Sequence, residues 1–141
     1  MVVKDTDKLM EELTSTPDLE VFLEENQNNF NTLRFCDLLT ELFNKSGLTK
    51  AALSKRAGTS EVYLYQIFSG MRTPSRDRTL CLCFGLSCTL DETQTLLKES
   101  GLAQLYPKNK RDAIIIYCLS NGMSLQEANE KLYSGKEDIL V

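Results

Sequence analysis

Two eight-residue helical units, set around a single glycine, constrain this chain more than any other feature. Thr49 stands as an N-cap before a run ending at Ala57, and Ser60 stands as an N-cap before a run ending near Ser69. Gly58 lies between them, where a tight inter-helix turn needs a residue free to take positive φ. Helices this short are marginal in water by themselves, so their neighbours must hold them. Their apolar members, Ala52, Leu53, Ala57, Leu64 and Ile67, point to that packing.

The surrounding punctuation is helical as well. Phe35, Leu38, Leu39, Leu42 and Phe43 form one helix stripe, predicted to begin near a Thr32 cap and to stop at Gly47. Pro74 and Ser75 open a further helix, and Thr89 with Glu92 reads as a capping box for a helix reaching about Ser100. Leu80, Leu82, Phe84 and Leu86 alternate as a strand would, but no partner strand exists elsewhere, so this segment is read as helix. Towards the C-terminus Asn109 is placed as the cap of a helix through Leu119, and Ser124 with Glu127 as a second capping box. Near the N-terminus Leu9, Met10 and Leu13 mark a weak amphipathic segment. Thr16 and Pro17 then predict a helix over about 17–26, and the amide-rich stretch Asn26–Asn31 reads as a linker. The residues from Gly135 to Val141 are expected to form a mobile tail.

Charge is distributed in three blocks. Residues 1–44 carry three basic and ten acidic side chains, residues 45–78 seven basic and two acidic, and residues 79–141 six basic and eight acidic. A cationic middle on a chain of net charge −4 offers a local face for phosphate although the whole molecule is anionic.

Composition removes several function classes. Histidine is absent, which excludes histidine triads, histidine proton relays and Cys/His zinc sites. No nucleophile with a base, no phosphate-cradling glycine loop and no carboxylate pair is legible, so an enzyme is not expected, nor a cofactor, nor a metal. Five cysteines fit free thiols in a reducing compartment. Cys81 and Cys83, two apart on one helix, point roughly 200° apart and do not share a metal; buried thiols are expected, with redox sensing as the alternative. The longest apolar run, Ala113–Leu119, falls far short of the ~18 residues of a membrane span. No signal peptide is read at the N-terminus, and a cytoplasmic protein is expected.

From Leu48 to Gly70, and on through Met71-Arg72-Thr73-Pro74-Ser75, the sequence resembles the phage-repressor-like (XRE) helix-turn-helix family. Leu48, Thr49, Leu53, Gly58, Ser60, Leu64, Ile67, Gly70, Pro74 and Ser75 sit where that pattern has its caps, turn glycine, buried aliphatics and the start of the next helix. With one helix before and two after, the likeness covers about residues 33–100. It implies an all-α protein: a five-helix repressor-like helix-turn-helix core with extra helices at both termini. The domains expected are an acidic N-terminal extension over 1–31, a helix-turn-helix DNA-binding domain over 32–102, and a C-terminal helical extension over 103–141. The last is expected to dimerise the protein or bind a partner.

The resemblance also assigns roles. Base-edge contacts would fall to Ser60, Glu61, Val62, Tyr65 and Gln66. Gln66 suits adenine, Glu61 a cytosine amino group and Val62 a thymine methyl. Lys50, Tyr63, Arg72 and Arg76 would hold phosphates, which position without specifying. Lys50 stands where the family usually has glutamine, and Glu61 brings a negative charge to the phosphates. The expected function is a sequence-specific, double-stranded-DNA-binding transcriptional regulator acting as a homodimer, with Ile115, Ile116 and Leu119 as dimer-surface residues. The alternative is a protein-interaction module that keeps the fold without binding DNA. The acidic N-terminal segment is open to three readings: a solvated face, a partner-docking helix, or an intramolecular mimic of DNA covering the basic patch. Lys108, Lys110 and Arg111 are read either as a second phosphate contact or as the polar start of a helix whose cations need an anionic neighbour.

Overall fold

The computed structural model describes residues 4–141, and among these every regular element is helical. The order is α1 (Thr6–Ser15), α2 (Leu19–Glu25), a 3₁₀ turn (Gln27–Asn29), α3 (Asn31–Ser46), α4 (Lys50–Ala57) and α5 (Glu61–Phe68). There follow α6 (Arg76–Gly85), α7 (Leu90–Glu99), α8 (Lys110–Ser120) and α9 (Leu125–Ser134). The all-α class expected from the punctuation is the one observed. Both capping boxes are formed: Thr89 and Ser124 accept from the backbone N–H groups of Glu92 and Glu127, and each glutamate accepts from its cap residue's N–H.

Two apolar cores share α6. The first gathers Phe35 and Leu39 of α3, Leu53 of α4, Leu64 and Ile67 of α5, and Leu82 of α6. The second joins Leu80, Cys81 and Phe84 of α6 to Leu97 of α7, Ile115 of α8 and Leu132 of α9. Every residue from Thr79 to Leu86 is buried. A helix with a core on each side needs no polar face, which is why its sequence lacks helical period and alternates instead. Gly85 allows the close approach of α6 to α4: a Cβ there would lie 2.9 Å from Leu53 Cδ1 and 3.1 Å from the Ala57 Cβ.

Four local expectations are corrected. The α2 cap is Asp18, not Thr16, because the carboxylate accepts from the N–H groups of both Glu20 and Val21, and the helix starts at Leu19, after Pro17. The α3 helix begins at Asn31 behind Phe30, with no side-chain cap, rather than at a Thr32 cap. The stretch read as a linker contains the 3₁₀ turn and the buried Asn26, whose amide donates to the Phe22 carbonyl and whose Oδ1 accepts from the Lys4 ammonium. The C-terminal segment is not a loose tail. Leu140 is buried and its N–H donates to Asn129 Oδ1 at 2.8 Å, while Asn129 Nδ2 donates back to the Leu140 carbonyl at 3.0 Å. The Arg111 guanidinium binds the carbonyls of Asp138 and Ile139.

Candidate nucleic-acid interface

The two short helices are set as their caps dictate. The Thr49 hydroxyl accepts from the Ala52 N–H and the Ser60 hydroxyl from the Tyr63 N–H, both at 3.1 Å. Gly58 occupies the left-handed region at φ 64°, ending α4 and redirecting the chain. Leu53, Leu64 and Ile67 are fully buried and fix the angle between α4 and α5. The opposite side of α5 is left free.

That free side carries most of the residues singled out from the sequence. Glu61 is exposed, Val62 is 67% exposed and Tyr65 57% exposed, while Gln66 is half-buried. Ser60 is exposed, although its oxygen already serves as the α5 cap. Glu61 has a local reason to be acidic as well, since it stands in the first turn of α5, where the helix dipole favours negative charge.

The cations around α5 fall into distinct settings. The Lys50 ammonium sits in an aromatic box, 5.0 Å from the centroid of Phe43, 5.3 Å from Tyr65 and 5.1 Å from Phe68. Cation–π attraction thus ties the start of α4 to α3 and to the exposed face of α5. Arg72 and Arg78 both lie over the Tyr63 ring, at 5.8 Å and 5.2 Å. Lys55, Thr59, Ser60, Tyr63 and Arg78 line a recess of about 570 Å³ beside the start of α5. Lys55 and Arg78 belong to the basic block of residues 45–78, and no motif in the sequence marks either of them. The only signal was the charge block itself, because their convergence depends on how α6 is packed.

Arg76 is engaged within the chain. Its guanidinium makes a two-pronged pair with Asp112 (2.8 and 3.1 Å) and also donates to the carbonyls of Ala103 and Gln104. A side chain so occupied ties α6 to the α7–α8 loop and α8. Arg111 is likewise engaged, with both terminal nitrogens 3.0 Å from Asp77, and the Lys110 ammonium donates to the Gly135 carbonyl. Asp77 is the anionic neighbour that cations at the start of α8 required. Of the residues expected to face a second subunit, Ile115 and Leu119 are buried in the chain's own second core, and Ile116 is half-buried.

The thiols lie in apolar surroundings. Burial pushes Cys81 up to about 11, and the neighbouring Cys88 thiol together with complete burial raises Cys83 well above the ordinary thiol range. The Cys36 thiol donates weakly to the Ile67 carbonyl at 3.6 Å. Among the described residues no group of three acidic or thiol side chains is placed to hold a metal ion, and no helix is long and apolar enough to cross a membrane.

Comparison with known proteins agrees with this geometry. Residues 39–78 match a family model described as Helix-turn-helix. The matched segment runs from the buried Leu39 of α3, through α4 and α5, into the first turn of α6, so the match takes in both short helices and the Gly58 turn between them. No curated protein and no solved structure matches the chain.

Proposed function

We propose that this protein is a sequence-specific DNA-binding transcriptional regulator that lays α5 in the major groove and acts as a homodimer in the cytoplasm. The observation that carries the reading is the exposed side of α5, held rigid by buried Leu64 and Ile67 and bordered by cations. A B-DNA major groove about 12 Å wide admits one helix, and α5 presents its first turns without obstruction.

In this reading Gln66 pairs with an adenine edge, Glu61 accepts from a cytosine amino group and Val62 meets a thymine methyl, with Ser60 and Tyr65 beside them. Lys50, Tyr63 and Arg72 keep the phosphate role, Arg78 joins them, and Arg76 is removed from the set because Asp112 holds it. Residues 32–102 are the DNA-binding domain. Residues 103–141 are packed on α6 and α7 and brace the helix-turn-helix from behind. Two copies would read half-sites about 34 Å apart.

The test is equilibrium binding to a selected site and to random duplex over a range of salt. Arg72→Ala is expected to weaken both complexes and to reduce the salt slope by about one, whereas Gln66→Ala costs about 1–3 kcal/mol on the selected site only. Equal losses for Gln66→Ala on both duplexes contradict its role. No salt-dependent binding to any duplex overturns the reading in favour of a protein-interaction module.

A further inference from the structure

The expected dimer residues are mostly enclosed in the chain's own core, yet two other surfaces on the same molecule are unpartnered and complementary. The first is the N-terminal hairpin. The α1 helix buries no residue, and Met10, Leu13, Leu19, Val21 and Leu23 are each between 43% and 58% exposed. The hairpin is nevertheless a built unit. Lys4 bridges Glu12 and Asn26, each at 2.7 Å, and the Phe22 and Phe30 rings meet edge to face at 6.5 Å. Residues 4–30 contain two basic and eight acidic side chains.

The second surface is a groove of about 710 Å³ between the end of α4 and α9, reaching Gly58 in the helix-turn-helix turn. Leu125, Tyr133 and Ile139 are its apolar lining, Lys55 and Arg56 its cationic lining, and Glu130 its one acidic member. Tyr133 is 79% exposed. An acidic hairpin with bare aliphatic side chains and a groove of aliphatic, aromatic and cationic side chains match in both polarity and charge.

We propose that the N-terminal hairpin of each copy docks in the α4–α9 groove of a second copy, so that reciprocal exchange of hairpins makes the dimer. Exchange of this kind is self-complementary and closes on a two-fold axis, whereas a hairpin-to-hairpin contact would set two strongly acidic surfaces against each other. Because the groove abuts Gly58, docking there also fixes the direction of α5 relative to the dimer axis. The inference rests on the dimeric part of the proposed function, not on its DNA chemistry.

Sedimentation equilibrium of the full chain tests it. Wild type is expected to approach twice the 16.0 kDa chain mass and to dissociate as salt rises. Lys55→Glu/Arg56→Glu and Glu20→Lys/Glu24→Lys should each weaken self-association by about tenfold or more, because each homodimer then opposes like charges at both contacts. Mixed in equal amounts, the two variants should recover a dimer, since both contacts are again complementary. Leu13→Asp/Leu23→Asp, with helicity checked by circular dichroism, should be monomeric. The proposal is overturned by wild type that stays at the chain mass, by a dimer that survives Leu13→Asp/Leu23→Asp, or by variants that do not rescue each other. A monomer that still binds a single half-site defeats the exchange and spares the DNA reading; a dimer that ignores DNA does the reverse.

Discussion

Asp112→Asn is expected to cost about 2–3 kcal/mol at neutral pH, and the estimate follows from the site. The Asp112 side chain is 9% exposed and accepts three hydrogen bonds, two from the Arg76 guanidinium and one from the Tyr106 N–H at 3.0 Å. Two unit charges about 4 Å apart at an effective dielectric near 20 attract by about 4 kcal/mol. Arg76 keeps a quarter of its side chain in contact with water, which screens part of that attraction. Asparagine removes the charge and turns an amide N–H₂ towards a guanidinium that can only donate. A loss of this size lowers Tm by about 8 °C in a chain of this length.

The pH dependence supplies a second reading of the same pair. Burial raises the Asp112 pKa, but the bonds from Arg76 and the Tyr106 N–H outweigh it and hold the carboxyl below the usual aspartate range. A carboxyl depressed in the folded state contributes its stability above the unfolded value, near pH 4, and loses it as pH falls through the lower folded value. The gap between wild type and Asp112→Asn is therefore full at pH 7 and closes in acid. Thermal melts at both pH values, combined with a double-mutant cycle through Arg76→Gln, measure it. A Tm within about 1 °C of wild type, or an additive cycle, refutes the assignment.

Three further outcomes are expected. Gly85→Ala should destabilise by about 1–3 kcal/mol in denaturant unfolding, because its methyl would press on Leu53 and Ala57 where α6 meets α4. Lys50→Gln should cost about 1 kcal/mol while Lys50→Arg keeps most of it, since the aromatic box attracts a cation; equal losses in the same unfolding assay would refute that contribution. Iodoacetamide at pH 8 should leave Cys81 and Cys83 unmodified in the native protein and label them only after unfolding, as read by peptide mass spectrometry.

How much was legible in advance depended on whether a feature is local. N-caps such as Thr49, Ser60, Asn109 and Ser124 act within one helical turn, so their sequence signature and their structure coincide. The positive φ of Gly58 is local in the same sense. Asp18 outcompeted Thr16 because a carboxylate accepts two N–H bonds at once, a difference of degree that spacing does not reveal. Long-range pairing was hidden. Nothing in the neighbourhood of Arg76 announces that Asp112, thirty-six residues on, will claim it, or that Asn129 will fasten Leu140. The apolar run Ile114–Tyr117 reads as buried on more than one side, in the core or against a second subunit, yet only Ile115 is buried, Ile114 and Ile116 are half-buried and Tyr117 is exposed, because α8 turns one face to the second core. On the helix-turn-helix surface, the exposed side of α5 followed from the pattern, whereas the recess lined by Lys55 and Arg78 required the packing of α6.

In the proposed function α5 reads DNA sequence. Capture and sequencing of genomic fragments by the purified protein, beside a Gln66→Ala/Arg72→Ala variant at near-physiological salt, puts this to the test. The expected result is an enriched motif with two-fold symmetry and half-sites about one DNA turn apart, lost in the variant. Recovery of the same fragments by both proteins, or of none by either, would contradict it.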